Sequence, residues 1–208
     1  MGIPFPLTWT QWSTWNTCPY WYKRQYLDKD VPRQESPALE KGKRLHDEIE
    51  QFLLGNAERL PEEVHPSWVD DFLALREAVA DGDAMVSVTL RIDGVAYGRI
   101  DAFVKDAAQR IIDFEIGKAR PYALEMREQL QFYGWLAGRK CTGELWWVEH
   151  PSWMAHLELE TRAPDVLDRV WRKRVEAVHT EPYEQTPNWK CRYCQVRDCL
   201  YNTNKEEA

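Results

Sequence analysis

The chain has 208 residues, of which 44% are hydrophobic and 29% charged, which is the composition of an ordinary globular protein with room for one core. No apolar run approaches the roughly 20 residues of a membrane span, which argues against a helical membrane protein. The first residues, MGIPFPLTWTQW, have neither the basic nor the apolar region of a secretory signal, so we expect a cytoplasmic protein, in which disulfides are rare.

Residues 1–82 are predicted to form a helical part. Thr8 or Thr10 is suited to cap the first helix, and the helix predicted over 37–54 has a typical cap at Ser36 and a typical stop at Gly55. The predicted helices of this part cover residues 8–18, 20–27, 37–54 and 67–80.

Residues 83–160 change to the two-residue period of β-strands, with Asp93-Gly94 as a typical hairpin turn. Strands are predicted over 85–92, 95–104, 109–114, 144–148 and 154–159, with a helix over 120–137 between the third and fourth strands. Residues 161–208 contain a last helix over 164–178 and an irregular segment rich in proline and cysteine. This order predicts a single α/β domain, in which helices flank a mixed central sheet, rather than a repeated βαβ unit.

Two aspartates occupy neighbouring predicted strands. Asp101 lies in the second strand and Asp113 in the third, so that pairing of these strands brings both carboxylates to one side of the sheet. Such oxygen ligands suit Mg²⁺ or Mn²⁺, ions that make a bound water more acidic and offset phosphate charge. Spacing alone leaves open the alternative of two aspartates that are simply solvated.

Five segments resemble, in the same order, the motifs of the PD-(D/E)xK nuclease superfamily, and in particular its branch of RecB-like and CRISPR-associated exonucleases. They are LTWTQWSTWNTCPYWYKRQY, KGKRLHDEIEQF, GRIDAFV, IIDFEIGK and EQLQFYGWL, and they extend over nearly the whole chain. The resemblance implies a restriction-endonuclease-like core and a metal site made of His46, Asp101 and Asp113. It also implies site roles for Gln129 and Tyr133, which lie one helical turn apart.

The activity that the resemblance implies is an exonuclease acting on single-stranded DNA ends, in recombination, repair or phage DNA processing. Without the order of the motifs, we would interpret His46 as a structural or exposed histidine, and Gln129 and Tyr133 as a surface pair.

The chain departs from the family pattern at Glu115, which stands where members carry a lysine that activates water and supports phosphate charge. A carboxylate supplies no positive charge and repels phosphate. Two explanations are open. Either Lys118 reaches the site from the following turn, or the chain is an inactivated variant that still binds metal and DNA.

The cysteines form a separate motif. Cys191, Cys194 and Cys199 lie within nine residues, and Cys18 is a distant fourth, whereas Cys141 is expected to be a buried apolar residue. Four thiolates can hold Zn²⁺ or an iron–sulfur cluster. One remote cysteine joined to a C-terminal triplet resembles the 4Fe–4S site of the RecB-like branch, which favours iron–sulfur and implies that the two ends of the chain are held together.

Basic residues are the candidates for DNA contacts, although the net charge of −7 argues mildly against a nucleic-acid partner. The predicted contacts are Lys23, Arg24, Arg172, Lys173 and Arg192. A solvated helix face is the alternative interpretation of the basic C-terminal helix. Two other functions remain open at this point: an iron–sulfur accessory protein that binds DNA without cutting it, and a zinc-stapled protein-interaction module.

Overall fold

A five-stranded sheet lies at the centre of the computed structural model, which describes residues 6–32, 35–119, 124–180 and 182–203. The strands follow one another in chain order across the sheet: β1 (Ala84–Ile92), β2 (Ala96–Val104), β3 (Arg110–Glu115), β4 (Thr142–Trp147) and β5 (His156–Glu160). All neighbours are antiparallel except β3 and β4. A parallel pair needs a crossover connection, and the helix over Leu124–Ala137 provides it.

The helices flank this sheet and begin at recognisable signals. They are α1 (Trp9–Thr17), α2 (Pro19–Tyr22), α3 (Pro37–Leu53), α4 (Val69–Ala80), α5 (Leu124–Ala137) and α6 (Pro164–Val178), with a π-helical turn over Lys23–Leu27 and 3₁₀ turns over Pro66–Trp68 and Trp189–Tyr193. Thr8 caps α1 in a capping box with Gln11, and the Ser36 side chain accepts a hydrogen bond from the backbone of Leu39.

Each face of the sheet carries its own hydrophobic core. On one face, Trp12 of α1, Phe132 of α5 and Trp171 of α6 pack together with Ile100 and Ile111 of the sheet. The edge-to-face contacts among these rings, such as Phe132 against Trp171 with centroids 4.9 Å apart, add to the burial of apolar area.

On the other face, α3 and α4 cover the sheet. Phe72 of α4 contacts both Phe114 of β3 and Trp146 of β4, and Ile49 of α3 is completely buried in the same core. Burying a side chain of this size stabilises the fold by about 1.5–3 kcal/mol. These contacts fix α3 against the strands that carry the aspartates.

Helix α5 approaches the loop before α6 closely enough that only glycine fits at position 134. A Cβ atom built on Gly134 lies 2.6 Å from Cγ2 of Thr161. Thr161 is buried and accepts a hydrogen bond from the backbone of Cys141, so neither side of this contact is free to move away.

The predicted α/β class, with a mixed sheet flanked by helices, is confirmed. Every predicted strand is found within two residues of its expected bounds, and the last helix covers the predicted residues. The first residues of the helix predicted over 120–137, residues 120–123, lie outside those that the structure describes. Within the described ranges, no helix combines the length and the apolar character that crossing a bilayer would require.

Candidate active site

The site is built on the antiparallel pair β2 and β3. Ala102 pairs with Ile112, and Asp101 and Asp113 are the residues just beyond this last pair of the ladder, where both side chains line one cavity. Glu115 lies two residues after Asp113 and lines this cavity as well. A carboxylate oxygen of Asp101 accepts a hydrogen bond from the backbone N–H of Phe114 at 2.6 Å, which ties the two strands together at the site.

Helix α3 closes this arrangement into a cavity of about 620 Å³. His46, Asp101, Asp113 and Glu115 all line it, so the structure brings together the three predicted metal ligands and the residue at the lysine position. Nδ1 of His46 lies 3.0 Å from Oδ1 of Asp101. The imidazole therefore joins α3 to β2 directly.

Gln129 and Tyr133 of helix α5 lie next to Asp113. The Gln129 amide donates to Oδ2 of Asp113 at 2.7 Å, and its nitrogen lies 3.4 Å from the Tyr133 hydroxyl. Only 7% of Gln129 and 6% of Tyr133 is exposed, so the interpretation of these residues as a surface pair is wrong. They hold Asp113 in place from helix α5.

Burial and like charge dominate the electrostatics of the cavity. Burial raises the pKa of the Asp113 carboxyl well above its usual range, and the charges of Asp101 and Glu115 raise it further. Burial, opposed by the neighbouring His46 and reinforced by Asp101, raises the pKa of Glu115 to about 7. For His46, burial lowers the pKa, but the hydrogen bond to Asp101 and the nearby carboxylates outweigh it and raise the pKa overall.

The donors in this cavity fit a hard divalent cation in their chemistry. Carboxylate oxygens and an imidazole are ligands that Mg²⁺ and Mn²⁺ accept, and a cation would offset the repulsion among the three carboxyl groups. Across the part of the chain that the structure describes, no three His, Cys, Asp or Glu side chains are already arranged to hold an ion. In the cavity, Asp101 is hydrogen-bonded to His46, and Asp113 to Gln129.

Lys118 lies outside the residues that line the cavity. It is exposed and follows Gly117, whose N–H donates to Glu149 at 2.7 Å and whose carbonyl oxygen lies 2.8 Å from Nε2 of His150. These bonds hold the turn against the loop that follows β4.

The cavity has cations that the sequence motifs did not indicate. Lys43 of α3 and Arg99 of β2 both line it. The signal available for Lys43 was its position three residues before His46, which places both on one face of the helix.

The four cysteines that were predicted to act together lie in one region. Cys18 stands between α1 and α2, and Cys191, Cys194 and Cys199 lie in and after the last 3₁₀ turn. Burial raises the pKa of the Cys194 thiol, and the neighbouring thiols of Cys199, Cys18 and Cys191 raise it further. All five cysteines are free thiols, and Cys141 is buried as expected.

Polar contacts close the two ends of the chain around these thiols. The backbone N–H of Tyr20 donates to Glu184 at 3.1 Å, and the Asn188 amide donates to the carbonyl of Thr17 at 3.1 Å. Arg24 forms ion pairs with both Asp30 and Asp198, at 2.8 and 2.6 Å.

Most of the predicted DNA contacts have carboxylate partners within the protein. Lys23 pairs with Asp28, Arg24 pairs as described, and Arg172 pairs with Asp168 at 2.8 Å. Lys173 and Arg192 are exposed. Arg174, one turn from the end of α6, lies over the rings of Trp12 and Trp171 and pairs with Glu128, so part of the basic helix serves packing.

Comparison with known proteins places this architecture in a family. A family model described as the PD-(D/E)XK nuclease superfamily matches residues 84–199, which is more than half of the chain. The crystal structure of SSO0001 has the same fold, with a TM-score of 0.53 and 17% identity over 92% of this chain and 83% of that chain.

Weaker likenesses link the chain to two other solved structures. An alkaline exonuclease (LHK-Exo) from Laribacter hongkongensis gives a TM-score of 0.40 at 12% identity, over 84% of this chain and 86% of that chain. A phage related exonuclease from Haemophilus somnus 129PT gives a TM-score of 0.35 at 16% identity, over 80% of this chain and 90% of that chain. The search of curated proteins gave no match. On the extent of the family match, and with its acidic strands facing one cavity, the chain belongs to the PD-(D/E)XK nuclease superfamily.

Proposed function

We propose that this protein is a metal-dependent DNA nuclease that trims single-stranded ends during DNA processing, recombination or repair. The observation that carries the proposal is the meeting of Asp101, Asp113 and His46, from two strands and a helix, in one cavity. Membership in a nuclease superfamily supports a role for these residues in cleaving phosphodiester bonds. The same membership argues against a zinc-binding protein-interaction module in which the carboxylates have no function.

In this proposal His46, Asp101 and Asp113 hold Mg²⁺ or Mn²⁺. Such a cation, when bound, supplies a more acidic water and offsets charge on the scissile phosphate. The chain's own residues prepare the site: the Gln129 amide orients Asp113, and the Phe114 N–H orients Asp101. Without the cation, three buried or half-buried carboxyl groups repel the DNA backbone from the cavity.

Cleavage assays with end-labelled DNA test the proposal. The wild type and Asp113→Asn are incubated with linear single-stranded, linear double-stranded and circular single-stranded DNA, in Mn²⁺, Mg²⁺ or EDTA. We expect metal-dependent shortening of linear single strands, resistance of the circle, and a loss of orders of magnitude in the variant. Glu77→Gln, on the exposed face of α4, is the matched control and should cleave like the wild type. Equal cleavage by Asp113→Asn would refute the assignment of the site.

Glu115 favours a second candidate, an iron–sulfur accessory protein that binds DNA but does not cut it. Here the lysine position carries a group that repels phosphate, so Glu115→Lys should raise nuclease activity by orders of magnitude over an inactive wild type. If Glu115→Lys shows no more nuclease activity than the wild type in Mg²⁺ or Mn²⁺, the hypothesis of an inactivated variant is wrong. An electrophoretic DNA-binding assay on the same samples separates binding from cleavage.

We further propose that Cys18, Cys191, Cys194 and Cys199 hold a 4Fe–4S cluster, with Zn²⁺ as the alternative occupant. The thiols of Cys18, Cys191 and Cys199 are near enough to Cys194 to raise its pKa, and residues 17–24 close against 184–198 around them, which supports the proposal, although the four thiols are not yet arranged as a ligand set in the described structure. Thiolates accept both iron and zinc, so metal analysis decides. We expect brown protein that contains iron and acid-labile sulfide. Colourless protein with one zinc per chain would refute the cluster.

A further inference from the structure

A phosphodiester that enters the cavity meets a strongly negative environment. Asp101, Asp113 and Glu115 line it, and phosphoryl transfer requires positive charge near the phosphate oxygens as negative charge develops there. A metal ion at the aspartates supplies part of this charge. Glu115, at the end of β3, supplies none.

The basic side chains around the cavity differ in whether they form an ion pair with a carboxylate of the protein. Arg99 pairs with Glu50 at 2.8 Å, Lys41 pairs with Glu149, and Arg44 pairs with both Glu48 and Glu63. For Lys43, the described residues show no ion pair within contact distance. Lys43 is therefore the cavity cation whose charge is available to a ligand.

The position of Lys43 suits contact with a phosphate. It lies on α3 three residues before His46, so the two side chains project from one face of the helix, with Cβ atoms about 5–6 Å apart. Leu45, on the side of α3 away from Lys43, is completely buried and anchors this part of the helix in the interior. Lys43 is exposed, and a Cβ atom built on the neighbouring Gly42, which also lines the cavity, would meet no atom within 4 Å.

We infer that Lys43 donates hydrogen bonds to a non-bridging oxygen of the scissile phosphate, and so replaces from helix α3 the charge that strand β3 lacks at position 115. The inference rests on the proposed nuclease function. In the step it assists, a water oxygen forms a bond to phosphorus while the bond to the leaving sugar oxygen breaks. The proton of the water passes to solvent, the leaving oxygen takes one from solvent, and the Lys43 ammonium keeps its own.

Four variants test this role in single-turnover cleavage of single-stranded DNA with Mn²⁺. Lys43→Met should lower the cleavage rate about 100- to 1,000-fold, the usual effect of removing one preorganised donor, with a smaller change in KM. Lys43→Arg keeps the charge and should retain part of the rate. Lys118→Met tests the competing lysine. Lys140→Met is the matched control, because this exposed lysine pairs with Glu160 at the far side of the sheet.

Rescue separates a role in charge from a role in structure. The double variant Lys43→Met, Glu115→Lys returns a cation to the cavity from β3 and should recover much of the lost rate, whereas a merely structural defect would not be rescued. Cleavage by Lys43→Met at the wild-type rate, or loss in Lys118→Met instead, overturns the inference while the nuclease function stands. An inactive wild type with an active Glu115→Lys also overturns it. If neither cleaves, the proposed function fails and the inference fails with it.

Discussion

Replacing Glu115 with glutamine removes one of the five carboxyl groups that line the cavity while keeping the size of the side chain. In the metal-free protein the pKa of Glu115 is raised from 4.5 to about 7, mainly by burial. The native state therefore holds this proton more tightly than the unfolded state does. The resulting stability is fully present below pH 4.5 and is lost as the pH rises through 7.

The size of the effect follows from the two pKa values. A rise from 4.5 to about 7 corresponds to about 3 kcal/mol of stability lost between acid and alkaline pH. This is an upper bound, because Glu115 is half-buried and water screens part of the repulsion. Glutamine carries no charge at any pH, so Glu115→Gln should be more stable than the wild type at pH 8 by up to this amount, and the gain should vanish near pH 4.5.

Urea denaturation, followed by tryptophan fluorescence, measures the difference in the free energy of unfolding between Glu115→Gln and the wild type. The measurements are made in EDTA, at several pH values from 4.5 to 8, on samples with the same metal content. Glu77→Gln, an exposed change on α4, serves as the control and should leave the pH dependence of unfolding unchanged. Mn²⁺ should reduce the advantage of Glu115→Gln, because a cation offsets the same repulsion. A stability difference that does not change with pH, or a variant less stable at pH 8, would contradict the electrostatic account.

Three further changes test the fold around the site, each by the free energy of unfolding in urea. Gly134→Ala should cost about 1–3 kcal/mol, because the new methyl group meets Thr161 at 2.6 Å; wild-type stability would show that this contact relaxes freely. Thr8→Ala removes the cap of α1 and should cost about 1 kcal/mol, more than Thr10→Ala on the exposed side of the same helix. Gln129→Ala leaves the buried aspartate without its amide donor and should cost about 1–3 kcal/mol at pH 8, with a smaller cost at pH 5; equal costs at both pH values would argue against that bond.

The parts of the site that local signals determine could be predicted from the sequence. The Asp93-Gly94 turn and the alternation on both sides of it place β1 and β2, and the short connection after β2 then brings the strand with Asp113 next to the strand with Asp101. Ser36 fixes the beginning of α3 and thereby the position of His46.

What could not be predicted depends on partners that are remote in sequence. Gln129 and Tyr133 have the spacing of a surface pair, but α5 is covered on most of its surface, so both are buried. The charge of Arg24 is matched by an aspartate 174 positions away. Arg174, in a segment that suggested a phosphate track, instead packs on tryptophan rings. Net charge and local spacing carry no information about such pairings.

The joining of residues 17–24 to residues 184–198 has a consequence for synthesis of the protein. The ribosome makes α1 and α2 before the segment 184–198, so their polar groups have no partners there until about 170 further residues have been synthesised. Until then Cys18 and its aromatic neighbours are exposed to chaperones and proteases. Polypeptides released before position 184 therefore keep residues 17–24 uncovered, and we expect cells to degrade them faster than chains that contain residues 184–198.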